Sequence, residues 1–107
     1  MNNKNNVGVI VDAGHGGSDP GALGNGLLEK DLNLRAAQYM YKRLQELGIP
    51  VVIIRDTDET LPKAPRIERA LKAFNNSPNT ILISNHINSG GRVSKIVMNE
   101  IYWCITS

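Results

Sequence analysis

The residues of this sequence best suited to binding a metal ion are His15, Glu29 and His86. They comprise the two histidines of the chain and one glutamate that stands at the start of an amphipathic segment. Two imidazoles and one carboxylate leave a tetrahedral Zn²⁺ with one open position, which is typical of a catalytic rather than a structural site. The single cysteine, Cys104, has no partner for a disulfide or a Cys-x-x-Cys pair, so any metal site must use His and carboxylate ligands.

Five segments of the sequence predict the elements that would position these side chains. The short apolar runs at residues 7–11, 51–54 and 80–85 predict buried strands. Apolar residues at helical spacing predict a helix over residues 31–47, closed by Gly48 and Pro50. A second helix is expected to open near Pro65, a residue type favoured at the first helical position.

The alternation of strand and helix predicts a single α/β domain over residues 1–107. Its expected architecture is a three-layer fold, in which a mainly parallel sheet joined by right-handed crossovers is flanked by helices. The tail, residues 92–107, contains two further apolar runs that predict a fourth strand or a hairpin. We expect the sheet to be incomplete at the C-terminus.

The three candidate ligands occupy matching places in this predicted order. His15 and His86 each follow the carboxyl end of a strand, and Glu29 lies at the entrance to the first helix. Strand carboxyl ends share one edge of a parallel sheet, and ligands bind in the crevice there. We therefore expect the three side chains to converge.

Simpler interpretations of the same residues remain open. A histidine in a glycine-rich loop is often a solvated turn residue, His86 can cap a strand, and Glu29 can favour a helix dipole without binding metal. A purely structural α/β module is one alternative. A phosphate-binding domain is another, but the glycine-rich segment at residues 14–26 contains no Gly-x-x-x-x-Gly-Lys-Ser/Thr motif.

Four motifs resemble those of a known family. Residues 11–17 (Val-Asp-Ala-Gly-His-Gly-Gly) with 19–22 are similar to the opening motif of the zinc-dependent N-acetylmuramoyl-L-alanine amidases, the Amidase_3 type of cell-wall hydrolase. Residues 29–34 (Glu-Lys-Asp-Leu-Asn-Leu) resemble its second motif, and residues 84–88 (Ser-Asn-His-Ile-Asn) its third. Between them, residues 55–58 with Leu61 and Arg66 resemble the segment after its second strand. The resemblance covers about residues 7–91.

This resemblance implies a function and a site. It implies that His15, Glu29 and His86 hold Zn²⁺, that Asn88 lines the substrate pocket, and that the reaction is hydrolysis of the amide between N-acetylmuramic acid and L-alanine in peptidoglycan. Asp12 and Ser84 are expected to shape loops and Arg66 to pair near a helix start. We expect a monomer acting at the bacterial cell wall.

The tail departs from the family pattern. In the family, the glutamate that moves the proton lies on a late strand, and residues 92–107 do not resemble that continuation, so the catalytic acid or base is unknown. Glu100, the one acidic residue of the tail, is the remaining candidate for this role, but we expect it to face solvent on a strand with Met98 and Tyr102. Our hypothesis is that the chain is a truncated product. The alternative function is therefore an inactive fragment that binds zinc and peptidoglycan.

Charge and hydropathy exclude two classes of partner. The 12 basic residues are interspersed with 10 acidic ones, giving a net charge of +2, without the basic stripe of a nucleic-acid-binding protein. No apolar run approaches the roughly 20 residues needed to span a membrane. No signal-peptide core follows the polar start, which suits a phage lysin released with a holin or a fragment made in the cytoplasm.

Overall fold

The computed structural model describes residues 8–87, 94–98 and 101–106 and shows an α/β fold. In chain order its elements are β1 (Gly8–Ala13), β2 (Leu23–Gly24), β3 (Leu27–Leu28), α1 (Glu29–Glu46), β4 (Val51–Ile53), α2 (Lys63–Ala73), β5 (Thr80–Asn85), β6 (Ser94–Met98) and β7 (Ile101–Thr106). Five strands form one sheet in the order β4-β1-β5-β7-β6, and β2 and β3 form a separate two-stranded hairpin.

The middle of the sheet is parallel, as the sequence predicts. β1 lies between β4 and β5 and pairs in parallel with both. In the β1–β5 pair, Asp12 lies opposite Ser84 and Ala13 opposite Asn85, so the two strands end at the same edge. This register brings the segments that follow β1 and β5, which contain His15 and His86, side by side.

The tail forms a hairpin that extends this sheet. β7 pairs in parallel with β5 and antiparallel with β6. Met98 ends β6 and Tyr102 lies in β7, so the prediction that these two residues share one strand with Glu100 is wrong. Glu100 itself lies outside the described residues.

Two apolar clusters, one on each face of the sheet, make the core. Ile10, Ile54, Leu61 and Leu82 pack with Ala70 of α2. On the other face, the side chains of Val9, Val11 and Ala13 pack with Ala37 of α1. Side chains alternate between faces along a strand, and a strand covered by helices on both faces must be apolar throughout. This explains why β1 has no exposed residue.

Both helices begin earlier than the sequence pattern suggested. α1 starts at Glu29 rather than Asp31, because the glycine-rich loop supplies acceptors for its first N–H groups: Glu29 donates to the Ala22 carbonyl and Lys30 to the Pro20 carbonyl. α2 starts at Lys63, which places Pro65 within the first turn, where helix N–H groups have no intrahelical acceptor. In the part of the chain that is described, no helix has the length and apolar character needed to cross a membrane.

Candidate metal centre

His15, Glu29 and His86 meet at the carboxyl edge of the sheet. One potential ligand atom from each lies within 4.8 Å of the other two. Glu29 Oε2 lies 3.2 Å from His15 Nε2 and 3.5 Å from His86 Nδ1. The two imidazole rings meet edge to face, with centroids 5.1 Å apart. The topology thus produces the convergence expected from the sequence.

The orientation of the His15 ring is set by Asp19. His15 Nδ1 and Asp19 Oδ2 are 2.8 Å apart. The hydrogen bond with His15 is the main cause that lowers the pKa of Asp19, with a further contribution from the Gly21 N–H. An ionised carboxylate can only accept, so Nδ1 carries a proton and Nε2 is the ring nitrogen that faces Glu29. A carboxylate on the far nitrogen is the usual way in which a metal-binding histidine is oriented.

Glu29 is an ionised carboxylate held below the protein surface. The residue is 3% exposed, and its oxygens accept hydrogen bonds from Ala22 N (2.9 Å), Ile87 N (2.8 Å) and Asn33 Nδ2 (3.2 Å). Burial raises the pKa of Glu29, but these three hydrogen bonds and the charge of His15 outweigh it and leave the pKa below its usual value. The group is therefore negatively charged at neutral pH.

His86 is kept neutral by its surroundings. Burial lowers the pKa of His86 most, and the charges of His15 and Arg66 lower it further. A neutral imidazole has a free lone pair, which a metal ligand requires. The oriented ring of His15 and the neutral ring of His86, beside the carboxylate of Glu29, therefore suit a divalent cation.

Gly14 and Gly21 lie so close to the candidate ligands that no side chain would fit at either position. A Cβ added to Gly14 would lie 2.6 Å from His86 Nε2. A Cβ added to Gly21, where φ is +70°, would lie 2.7 Å from both Glu29 Oε1 and His15 Cδ2. The glycine-rich loop is thus packed directly against the three candidate ligands.

A buried network lies next to the cluster. Asp12 is fully buried, and its carboxylate accepts hydrogen bonds from Arg66 Nη1 (2.6 Å) and Ser84 Oγ (2.7 Å). Arg66 also donates to the carbonyls of Ala13 and His15. Asp12 lies in β1 and Ser84 in β5, so their hydrogen bond joins two strands, and Arg66 pairs in the first turn of α2. That Asp12 and Ser84 shape loops stays a prediction.

The chain matches the sequence model of a known protein family. The sequence model of the family described as N-acetylmuramoyl-L-alanine amidase (Amidase_3) matches residues 9–102. The chain belongs to this amidase family. The match reaches past Gly91, into the tail that we expected to diverge.

Individual relatives of the chain support the same family. It is 44% identical over 82 residues to the protein YqiI of Bacillus subtilis (strain 168), and 36% identical over 91 residues to the germination-specific N-acetylmuramoyl-L-alanine amidase of that organism. These alignments cover 77% and 76% of the chain, and the chain spans 38% of the length of each relative. The structure of the amidase AmiC2 of Nostoc punctiforme is similar, with a TM-score of 0.69 and 35% identity over 81% of this chain and 47% of that one.

Arg55 is a residue of this amidase-family site whose role the sequence did not reveal. It is 1% exposed and donates to the carbonyls of Ala13 (3.2 Å), Gly14 (3.0 Å), Lys30 (3.1 Å) and Thr57 (2.8 Å). Burial lowers the pKa of the Arg55 guanidinium, and the charge of Arg66 lowers it further. The sequence singled out Arg55 only as the first residue of the segment 55–58 that resembles the family, and this resemblance assigned it no role.

The loop after β4 is hydrogen-bonded to the glycine-rich loop. Asp58 accepts hydrogen bonds from Gly17 N (2.7 Å) and Lys30 Nζ (2.8 Å), and Thr60 Oγ1 accepts one from Ser18 N (3.0 Å). The Lys30 hydrogen bond is the main cause that lowers the pKa of Asp58. Two further residues named from the sequence, Asn88 and Glu100, lie outside the described residues.

Proposed function

We propose that this chain contributes the zinc-binding part of an amidase that hydrolyses the bond between N-acetylmuramic acid and L-alanine in peptidoglycan. The observation that carries the proposal is the meeting of His15, Glu29 and His86, with ligand atoms within 4.8 Å. Zn–N and Zn–O bonds of about 2.0–2.2 Å place neighbouring ligands roughly 3–3.5 Å apart. The distances from Glu29 Oε2 to His15 Nε2 and His86 Nδ1, 3.2 and 3.5 Å, fall in this range.

The chemistry of the three donors fits Zn²⁺ better than a hard cation such as Ca²⁺ or Mg²⁺. Imidazole nitrogens with one carboxylate suit zinc, whereas Ca²⁺ and Mg²⁺ are bound by oxygen ligands. When bound in such a site, Zn²⁺ polarises the scissile carbonyl and lowers the pKa of water. We therefore assign zinc as the cofactor and His15, Glu29 and His86 as its ligands.

The residues of the chain prepare this site in three ways. Glu29 supplies the negative charge, and Asp19 orients His15. Burial keeps His86 neutral. The side chains of His15 and His86 keep 24% and 21% of their surface exposed, so one side of the cluster is open to a substrate. We propose that Asn88, two residues after His86, lines this side.

A second candidate function is zinc-dependent binding of peptidoglycan without hydrolysis. Amide hydrolysis needs a group that moves a proton to the leaving amine. Among the described residues, the carboxylates at the cluster are Asp12, Asp19 and Glu29, and each is engaged by a basic side chain or by backbone N–H groups. None of these three is free to act as that acid or base. The partner in either case is peptidoglycan, and the place of action is the cell wall.

The test combines a metal measurement with an activity measurement. The chain is loaded with zinc and dialysed, and its zinc content is measured by mass spectrometry. New L-alanine amino termini released from purified peptidoglycan are then counted. We expect one zinc per chain, lost in Glu29→Gln and His86→Ala. Glu46→Gln is the matched control, because Glu46 is an exposed carboxylate at the other end of α1.

The two measurements separate the two functions. Chelator-sensitive release of L-alanine termini supports the amidase, and zinc binding with no release supports the binding function. A parent chain that retains no zinc contradicts both.

A further inference from the structure

An apolar groove of about 200 Å³ lies beside the candidate metal centre. We call it the hairpin groove, because the β2–β3 hairpin supplies one of its walls. The start of α1 and the segment after β5 supply the rest. The groove lining includes Ala22, Leu23, Leu27, Glu29, Leu32 and Ile87.

The hairpin groove brings together three exposed apolar side chains of residues 8–87. Leu23, Leu27 and Ile87 are 69%, 52% and 43% exposed. Among residues 8–87, six large hydrophobic side chains are exposed, and these three line this single groove. Isolated exposed leucines need no explanation, but a contiguous apolar patch marks a binding surface.

The groove and the metal centre share the carboxylate of Glu29. Its Oε1 accepts the N–H of Ala22, and its Oε2 accepts the N–H of Ile87. Ala22 directly precedes the β2–β3 hairpin and Ile87 follows β5, and both line the groove. The same side chain that we assign to the metal therefore fixes both segments, and a ligand whose reacting bond lies at the cluster enters the groove directly.

We propose that the hairpin groove is the subsite for the peptide stem on the amine side of the scissile amide, with the methyl group of L-alanine against Leu27 and Ile87. This assignment rests on the proposed function. A bond at the cluster has two sides, a hydroxyl-rich sugar with its lactyl group and a peptide that begins with L-alanine. An apolar wall suits the methyl-bearing peptide, because hydroxyl groups placed against it would lose hydrogen bonds to water.

The size of the groove fits the same occupant. Pockets that enclose a drug-sized ligand measure roughly 300–1,000 Å³, and this groove, at about 200 Å³, is smaller. It can take one or two small residues. Of the described residues that line the groove, Glu29 alone is charged, and its carboxylate is already occupied by hydrogen bonds.

The experiment measures binding, so it does not depend on turnover. The probes are N-acetylmuramoyl-L-alanyl-D-isoglutamine and N-acetylmuramic acid, titrated by NMR into the zinc-loaded 107-residue chain. The variants are Leu27→Ser and Leu23→Ser. Leu47→Ser is the control, because Leu47 is a 61% exposed leucine at the end of α1 that does not line the groove. Zinc content and thermal melting are recorded for every variant.

We expect the muramoyl peptide to bind about fivefold or more weakly to Leu27→Ser, since small changes in an apolar pocket alter affinity by factors of about 10 or more. Leu23→Ser should weaken binding in the same direction. The control should match the parent, and the affinity for N-acetylmuramic acid should be the same in all four proteins.

Three outcomes would overturn the assignment. Equal loss of affinity for N-acetylmuramic acid would place the sugar or lactyl group in the groove. Zinc-loaded parent chain that does not bind the muramoyl peptide would refute the groove subsite and leave the metal centre intact. A parent chain without zinc would refute the proposed function, and the groove assignment with it.

Discussion

Arg66 and Asp12, which are 54 residues apart in sequence, form a buried ion pair with an Nη1–Oδ1 distance of 2.6 Å. The same guanidinium donates to the carbonyl of His15 (3.0 Å), whose φ of 62° lies in the left-handed region that few residues other than glycine adopt. The pair thus connects the buried end of β1 to the backbone conformation of a candidate metal ligand.

Removing the Arg66 side chain should destabilise the protein and weaken metal binding together. Arg66→Ala leaves the Asp12 carboxylate buried without its cation, which costs about 3–5 kcal/mol. It also frees the His15 carbonyl. Urea unfolding gives the first effect, and zinc affinity measured by chelator competition gives the second. Arg35→Ala, an exposed arginine of α1, is the control and should change neither. Wild-type stability in Arg66→Ala would contradict this account.

Asp19→Asn should weaken zinc binding with little effect on folding. Asp19 orients His15, and losing such a partner typically costs 10–100-fold in metal affinity. The Asp19 side chain is 63% exposed, so its contribution to stability is small. Chelator competition measures the affinity, and Asp31→Asn serves as a matched exposed aspartate. An unchanged affinity would mean that Asp19 does not position the ring.

Gly14→Ala should displace the ring of His86. The new methyl group would lie 2.6 Å from His86 Nε2, and overpacking of this kind costs about 1–3 kcal/mol. We expect lower stability and less than one zinc per chain. Gly24→Ala is the matched control, because an added Cβ there has no neighbour within 4 Å among the described residues. Equal behaviour of the two variants would refute the close packing of the loop on His86.

The stability of the metal-free chain should decrease as the pH falls below about 6.5. Burial, with the charge of His15, lowers the pKa of His86 in the folded state. The unfolded chain then binds more protons than the folded chain between the two pKa values, so stability rises with pH there. His86 contributes stability that is fully present above the unfolded pKa and lost as the pH falls through the folded one.

Urea unfolding at several pH values, with chelator present, measures this dependence. His86→Gln should flatten it in that range, because glutamine does not titrate. If the parent and the variant show the same pH dependence, another group is responsible.

Much of the fold could be predicted because it depends on local patterns. The apolar runs gave β1, β4 and β5 within a residue or two. The helical spacing and Gly48 gave α1 and its end, where Gly48 adopts a φ of 77°. The starts of the helices were placed less well. The first N–H groups of α1 bond to carbonyls of the glycine-rich loop, and those acceptors follow no sequence pattern.

The candidate ligands could be named before the structure because two constraints coincided. His15 and His86 are the histidines of the chain, and both follow strands that topology brings together at one edge. The supporting residues could not be named in the same way. Asp19 is one of several acidic residues in loops, and its role depends on the turn that brings it to His15 Nδ1. Asn88 and Glu100 stay predictions.

The sequence by itself determined the order of β1, α1, β4, α2 and β5, the types of residue able to bind a metal, and the motifs that resemble the amidase family. These follow from apolar periodicity and from short motifs, which are properties of neighbouring residues. Only the tertiary structure decided how Arg55 holds the carbonyls of Ala13 and Gly14, and how the β2–β3 hairpin forms a groove beside Glu29. Backbone carbonyls are alike in every residue, so their partners are chosen by the packing of segments distant in sequence.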